Sequence, residues 1–183
     1  MTNTRGERGP MDLIEILFPI ASTAHTLAAV IWVGGMVAMR FAAHQSFVHV
    51  EEPLIRLERI AHALKRLFTI VLPFVIILIV TAVLMAVGWD FRNAALDANG
   101  VVIDENAMAM YNLVHVKEAI WMIMAMNLGG MMFLRSKAEK LLSQDNLIEA
   151  QKKLGLIGKY LVPLNIILGV IAIYMGVVLR YSH

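Results

Sequence analysis

Four long runs of hydrophobic residues alternate with polar segments along the chain. They cover about residues 17–41, 67–89, 107–134 and 160–179. An α-helix needs about 20 mainly apolar residues to cross the hydrocarbon core of a bilayer, and each run reaches that length. The pattern therefore predicts an all-α protein, an integral membrane four-helix bundle that forms a single domain over residues 1–183.

Helical spacing continues through the polar segments before the second and fourth runs. Pro53 follows two glutamates and suits the first turn of a helix, and apolar residues then recur at helical intervals. These features predict one long helix from about Pro53 to Trp89 with a bend at Pro73. The fourth helix is predicted to start near Asp145 and to bend at Pro163.

An internal repeat links the two halves of the chain. The motif Gly-Gly-Met-x-x-x-Arg ends the first run at Arg40 and the third run at Arg135, and similar apolar sequences follow Pro73 and Pro163. The repeat predicts two similar helical hairpins that pack as a pseudo-symmetric bundle. The Gly-Gly pairs would allow neighbouring helices to approach closely.

The composition supports a membrane location and excludes several function classes. Hydrophobic residues make up 59% of the 183 residues and charged residues 16%, with a mean hydropathy of +0.70, whereas a soluble domain is about 25% charged. The absence of cysteine excludes disulfides, thiolate metal sites and iron–sulfur clusters. No basic stripe suggests nucleic acid as a partner, and no phosphate loop or nucleophile–base motif suggests hydrolysis.

Basic residues are concentrated in two of the three connecting segments. The first holds Arg40, Arg56, Arg59, Lys65 and Arg66, and the third holds Arg135, Lys137, Lys140, Lys152, Lys153 and Lys159. The second connection, residues 90–106, contains Arg92 and four acidic residues. The positive-inside rule places the basic connections in the cytoplasm, so both termini and the 90–106 connection are expected outside.

Two histidines lie within hydrophobic runs, where an ionisable group is costly and usually faces protein, ligand or water. These are His25 and His115; the other four are His44, His49 and His62 in the first connection and His183 at the end. Both are predicted to face inward in the outer half of the membrane. Two such imidazoles suit a haem or a metal ion in the bundle core.

Helical spacing defines the neighbours of each histidine. His25, Trp32 and Met36 share a face of the first helix, and His115, Glu118, Met122 and Met126 share a face of the third. Relative to the Gly-Gly pairs the two histidines are offset by five residues, or about 7.5 Å. They could therefore grip one tilted haem or belong to two different sites.

Lys117 and Glu118 are unusual residues for a membrane span. Lys117 either extends to the headgroups or pairs with an acidic side chain or a haem propionate. Glu118 could orient an imidazole or relay protons. Asn127 and Asn165 are predicted to hydrogen-bond between helices.

Methionine is abundant, with 13 residues in the chain. Thioether and imidazole ligands suit Cu(I), so His25, His115, Met36 and Met122 form a candidate copper site. Methionine is also a common filler of apolar cores.

The sequence HTLAAVIWVGGM at residues 25–36 resembles the first-helix signature of the copper-resistance D (CopD) family of membrane proteins. The basic sequence RLERIAHALKRL, the histidine at His115 and the closing run before Tyr181 extend the similarity more thinly. A weaker resemblance links the chain to the HemJ protoporphyrinogen oxidase family. That family also combines a first-helix histidine with a histidine–x–lysine, as at His115 and Lys117.

These resemblances imply a protein of the bacterial plasma membrane. The HemJ resemblance implies bound haem b and functional roles for the histidine and lysine, although the chain is longer and lacks that family's proline–arginine. The first hypothesis is a b-type haem protein that transfers electrons, with His25, His115, Lys117, Glu118 and Trp32 around the cofactor and a quinone or redox protein as partner.

Three alternatives remain open at the level of sequence: a CopD-type copper-handling protein, a HemJ-like oxidase acting on a porphyrinogen or quinol, and a small accessory subunit whose polar groups only lock helix packing. Whether the chain is an enzyme, and whether it forms homo-oligomers, is left open by the residues.

Overall fold

The computed structural model describes the backbone of residues 10–181 and the side chains of residues 16–181. The described helices are α1 (Pro10–Ala38), α2 (His44–Val48), α3 (Pro53–Trp89), α4 (Phe91–Ala95), α5 (Glu105–Leu142), α6 (Leu147–Leu156) and α7 (Val162–Tyr181), with π-helical segments at Met39–Ala43 and Ile157–Leu161. Over this part of the chain there is no β-strand, and Leu96 and Val102 form an isolated bridge. His183 and the first nine residues lie outside the described residues.

Within the described residues, four helical segments are long and apolar enough to cross a membrane: Ile16–Val48, Pro53–Ala95, Glu105–Leu142 and Leu147–Tyr181. This confirms the all-α prediction and the number of candidate spans. The predicted runs lie within these longer segments. At 37 residues, α3 is about 55 Å long and extends well beyond a hydrocarbon core of about 30 Å.

The long helices pack as antiparallel neighbours. Helix α1 contacts α3 and α7, and α5 contacts the same two helices. The rings of Phe18 and Trp89 meet at 5.6 Å near the start of α1 and the end of α3. At the other end of this pair, Gly35 faces Leu67. The antiparallel arrangement places the basic connections at one end of the bundle, hereafter the basic end.

The core consists of apolar side chains from all four long helices, and it includes Trp32, Met36, Phe68, Val71, Leu128, Met131 and Val162. Many large apolar side chains instead cover the outside of the bundle, among them Ile20, Val30, Ile70, Ile76, Met126 and Ile167. Since lipid is as apolar as these side chains, close packing and interhelical hydrogen bonds hold such helices together.

The glycines contribute unequally to the packing. A Cβ atom on Gly35 would lie 2.9 Å from Leu67 Cδ1, so close approach is confirmed at that residue. Nothing lies within 4 Å of a Cβ added to Gly34, Gly129 or Gly130, and the prediction of close packing at the second pair is wrong. The tightest approach is at Gly169 of α7, where a Cβ would lie 2.5 Å from Val33 Cγ2 of α1.

Two asparagines join α5 to the fourth segment. Asn127 Nδ2 donates to the carbonyl of Leu161 at 2.8 Å and to Asn165 Oδ1 at 2.7 Å, and Asn165 Nδ2 donates to the carbonyl of Met124 at 3.4 Å. The predicted interhelical hydrogen bonds are therefore confirmed.

The two predicted long helices are confirmed in their approximate extent, and the bends at Pro73 and Pro163 stay predictions. Helix α3 covers the predicted residues from Pro53 to Trp89. The fourth segment begins at Leu147, after Asn146 caps the helix through the Glu149 amide. Its irregular backbone is the π-helical segment Ile157–Leu161, just before Pro163. In a π-helical segment the backbone hydrogen bonds join residues five apart instead of four.

The connection between α3 and α5 is built by carboxylates that accept backbone hydrogen bonds. Asp97 Oδ1 accepts from the amides of Asn99 at 2.9 Å and Val101 at 2.8 Å, and these bonds lower the pKa of Asp97. Asp104 caps α5 by accepting from the amides of Asn106 and Ala107.

The asparagine pair predicts coupled losses of stability. Asn127→Ala and Asn165→Ala should each lower the free energy of unfolding by about 1 kcal/mol, and the double variant should show a coupling energy of about 0.5–2 kcal/mol. Unfolding in detergent micelles measures all three values. Asn112→Ala, at an exposed position on the same helix, is the control, and additive effects would contradict the pair.

The glycine packing predicts opposite effects of two alanine substitutions. Gly169→Ala forces Val33 and α1 to move and should cost about 1–3 kcal/mol of stability, with recovery when Val33→Ala is added. Gly129→Ala meets open space and should be neutral or stabilise by about 0.5–1 kcal/mol. Melting midpoints in micelles test both substitutions. Equal losses of stability in Gly169→Ala and Gly129→Ala would disprove that, of these two glycines, only Gly169 lies at a close helix contact.

Candidate functional site

A polar group lies within the apolar bundle, where α1 meets α3. The side chain of His25 is half-buried, and its Nδ1 lies 2.9 Å from the Thr81 hydroxyl oxygen. Thr81 is itself buried, with 7% of its surface exposed. Helix α1 directs His25 inward because Ala21, Ala28 and Trp32, which follow the same helical face, are all buried.

The hydrogen bonds around Thr81 determine which nitrogen of His25 carries the proton. The Thr81 hydroxyl donates to the carbonyl of Ile77 at 2.6 Å, with the Leu78 carbonyl at 3.1 Å. A hydroxyl has one hydrogen, so its oxygen accepts from His25 Nδ1–H. The Leu78 carbonyl, which also interacts with this imidazole, can only accept. Nε2 therefore keeps its lone pair, which is the form that binds a metal.

Lys117 of α5 lies on the interior side of its helix. Its side chain is half-buried, and its Nζ lies 3.0 Å from the point that a Cβ atom would occupy on Gly176 of α7. It interacts electrostatically with His25. Within the described part of the chain it has no hydrogen bond or ion pair. Because an unpaired ammonium is costly in a low-dielectric interior, this position favours an anionic partner.

Trp32 is the third side chain in this region, after His25 and Lys117, with a polar atom that is not used in a hydrogen bond. Its indole is 1% exposed, and Nε1 is buried without a hydrogen-bond partner among the described residues. It lies seven residues after His25, about 10.5 Å further along α1. A buried donor without an acceptor costs about 1–3 kcal/mol, so an acceptor supplied by a ligand would stabilise this region.

The structure does not bring His115 into the same interior. His115 and Glu118 are about half exposed, with Nδ1 3.4 Å from Oε2. The Tyr111 ring lies 4.4 Å from the imidazole, centroid to centroid, and is tilted by 57° against it. The predicted shared face of α5 exists, but it points out of the bundle, since Met122 and Met126 are also exposed. The expectation of two inward histidines is therefore wrong, because α5 turns Lys117 inward instead.

The methionines proposed as copper ligands are also separated. Met36 is fully buried, but it lies eleven residues after His25, about 16 Å along the same helix, which is too far for one ion. Met122 is 56% exposed on the outside of α5. Among the described residues, no group of three or more histidine, cysteine or acidic side chains could hold a metal ion.

Two features were missed in the sequence. Thr81 orients His25, and it is the single hydrogen-bonding side chain in the apolar run of residues 70–87. His44 was set aside as a connecting residue, but it lines a cavity at the basic end together with Arg40. The spacing of four residues between Arg40 and His44 was the available signal, because it places both on one helical face.

A scan against protein-family models, a search of curated proteins and a search of solved structures each found no match for this chain. The resemblances to the CopD and HemJ families therefore stay predictions from sequence motifs.

The unpaired ammonium of Lys117 predicts a stabilising substitution. Lys117→Met keeps the length of the side chain and removes the charge, so it should raise the free energy of unfolding of the ligand-free protein by about 1 kcal/mol. Melting in micelles measures the change. Lys137→Met, at an exposed residue of α5, should have little effect, and a destabilised Lys117→Met variant would show that the charge has a partner.

Proposed function

We propose that this chain is a b-type haem protein that transfers electrons within a bacterial plasma membrane, and that Nε2 of His25 would hold the haem iron. The observation that carries the proposal is the orientation of His25: Thr81 accepts from Nδ1–H and leaves Nε2 free. Imidazole in this form is a common ligand of haem iron.

The residues around His25 fit a haem in their charge and hydrogen-bonding capacity. The Lys117 ammonium would pair with a propionate carboxylate, which removes the cost of an unpaired charge in the bundle. The Trp32 indole would donate to a ligand acceptor. When bound, the haem supplies a one-electron redox couple. Thr81 holds the imidazole in one orientation and raises its basicity as a ligand.

The membrane arrangement completes the proposal. The two similar hairpins would place the basic connections in the cytoplasm, with both termini and the 90–106 connection outside. His25 then lies in the outer half of the bilayer. Electrons would pass between the haem and a quinone or a redox protein, and the exposed His115 face would remain available for contact with lipid or a second subunit.

Copper handling is the second candidate, because a free imidazole Nε2 also suits Cu(I). The position of Lys117 favours haem over copper. Two positive charges repel each other strongly at low dielectric, and Lys117 interacts electrostatically with His25. A bare cation at Nε2 would be opposed by the ammonium, whereas an anionic haem would be attracted.

Absorption spectroscopy of the purified protein tests the proposal. The wild-type protein should show a Soret band and reducible α and β bands, and His25→Gly should lose them. Added imidazole should restore the bands in His25→Gly, because a free ligand can occupy the space. His115→Ala should retain the bands, since this histidine lies outside the bundle.

Metal analysis and melting provide the controls for this experiment. A colourless protein that binds one copper through His25 would favour the second candidate. If His115→Ala also loses the Soret band, the prediction that haem binding needs His25 but not His115 is wrong. If the wild-type protein binds no cofactor and His25→Gly fails to fold, His25 has a purely structural role and the proposal is wrong.

A further inference from the structure

A cavity of about 330 Å³ opens at the basic end of the bundle. It lies among the end of the first segment, the beginning of α3 and the junction of α6 with α7, and an adjoining open region extends over α6. Its volume falls in the range of about 300–1,000 Å³ typical of small-ligand sites. It lies far from His25, which is about 22 Å away along the helix from Arg40.

Apart from the Tyr160 phenol, all ionisable side chains that line the cavity and its open extension are basic: Arg40, His44, Arg56, Lys152, Lys153 and Lys159. Arg40, His44 and Arg56 have no hydrogen bond or ion pair within the described part of the chain. Lys152 is the exception in being paired, since it donates to Glu149 at 2.6 Å. Such a concentration of unneutralised charge favours an anion.

The two arginines come from different helices and are both half-buried. A guanidinium presents a planar fork of donors that matches phosphate oxygens in pairs, and it is more weakly hydrated than an ammonium. Arg40 and Arg56 line the same cavity, so both guanidinium groups are available to an anion bound there. The lysines further out would attract the same anion at longer range.

The inner wall of the cavity is apolar. It is formed by the buried side chains of Leu57, Leu64, Leu154, Ile157 and Val162. A free phosphate has no apolar surface to bury against this wall. A phospholipid combines a phosphate with a hydrocarbon chain that can pack against it. Basic pockets between membrane helices at this level are typical of sites for anionic lipid headgroups.

Two π-helical segments border the cavity. The π-helical segment Met39–Ala43 carries Arg40, and the second segment, Ile157–Leu161, carries Gly158 beside His44. Inserted π-turns frequently occur at functional sites because they redirect side chains. Gly155 lines both regions, and nothing lies within 4 Å of a Cβ added to it.

From these observations we propose that the cavity binds an anionic phospholipid, with Arg40 and Arg56 on its phosphate and the apolar wall against its acyl chain. The site is independent of the haem proposal, because it uses none of the same residues and can be tested with or without bound haem.

Melting of the full-length protein in non-ionic micelles tests the site. Added phosphatidylglycerol should raise the midpoint more than the same concentration of phosphatidylcholine. The double substitution Arg40→Gln and Arg56→Gln should raise the half-maximal phosphatidylglycerol concentration about tenfold or more. Arg59→Gln, an exposed arginine one turn from Arg56 that lines neither region, should behave as the wild type.

Two further measurements complete the test. The first distinguishes a lipid from free phosphate, and the second uses a variant that keeps both arginines, so that a misfolded double variant cannot decide the result. Inorganic phosphate alone should give a much smaller shift than phosphatidylglycerol; an equal shift would overturn the lipid assignment. Gly155→Leu keeps every charge but fills the cavity, and it should also weaken the phosphatidylglycerol response. An unchanged response in Gly155→Leu, or equal responses in the double variant and Arg59→Gln, would overturn the proposal.

Discussion

The hydrogen bond between His25 and Thr81 is the interaction on which the candidate site depends. In a bilayer no water satisfies a polar side chain, so each one must find a partner within the protein. Thr81 donates to its own helix and accepts from His25. This chain of bonds anchors the imidazole to α3 and leaves its second nitrogen unused. Under the haem proposal, this unused Nε2 is the atom that would bind the iron.

The same constraint distinguishes two kinds of polar group among the described residues: those that are paired within the protein and those that are not. The Asn127 and Asn165 amides satisfy each other and nearby carbonyls, so they join helices without a ligand. Lys117 and Trp32 have interior positions but no hydrogen-bond or ion-pair partner within the part of the chain that the structure describes. Retaining such groups opposes stability, and a bound anionic or accepting ligand would offset that cost.

The two ends of the bundle have different electrostatic environments. At the basic end, two π-helical segments border a cavity between helices whose exposed ends are cationic. At the other end, Asp97 and Asp104 use their carboxylates to build a compact connection with the backbone. A lipid bound at the basic end would fix the bundle at one membrane surface, far from the region around His25 that we propose for haem.

The sequence by itself determined the helices, because hydrophobic run length, Pro53 and the distribution of arginine and lysine act locally along the chain. It also identified His25, Lys117 and the asparagine pair, since polar groups are conspicuous in apolar runs. Only the tertiary structure decided that α5 turns Lys117 inward and His115 outward. Helical periodicity defines which residues share a face, but the direction of that face depends on contacts between helices, such as Gly169 against Val33.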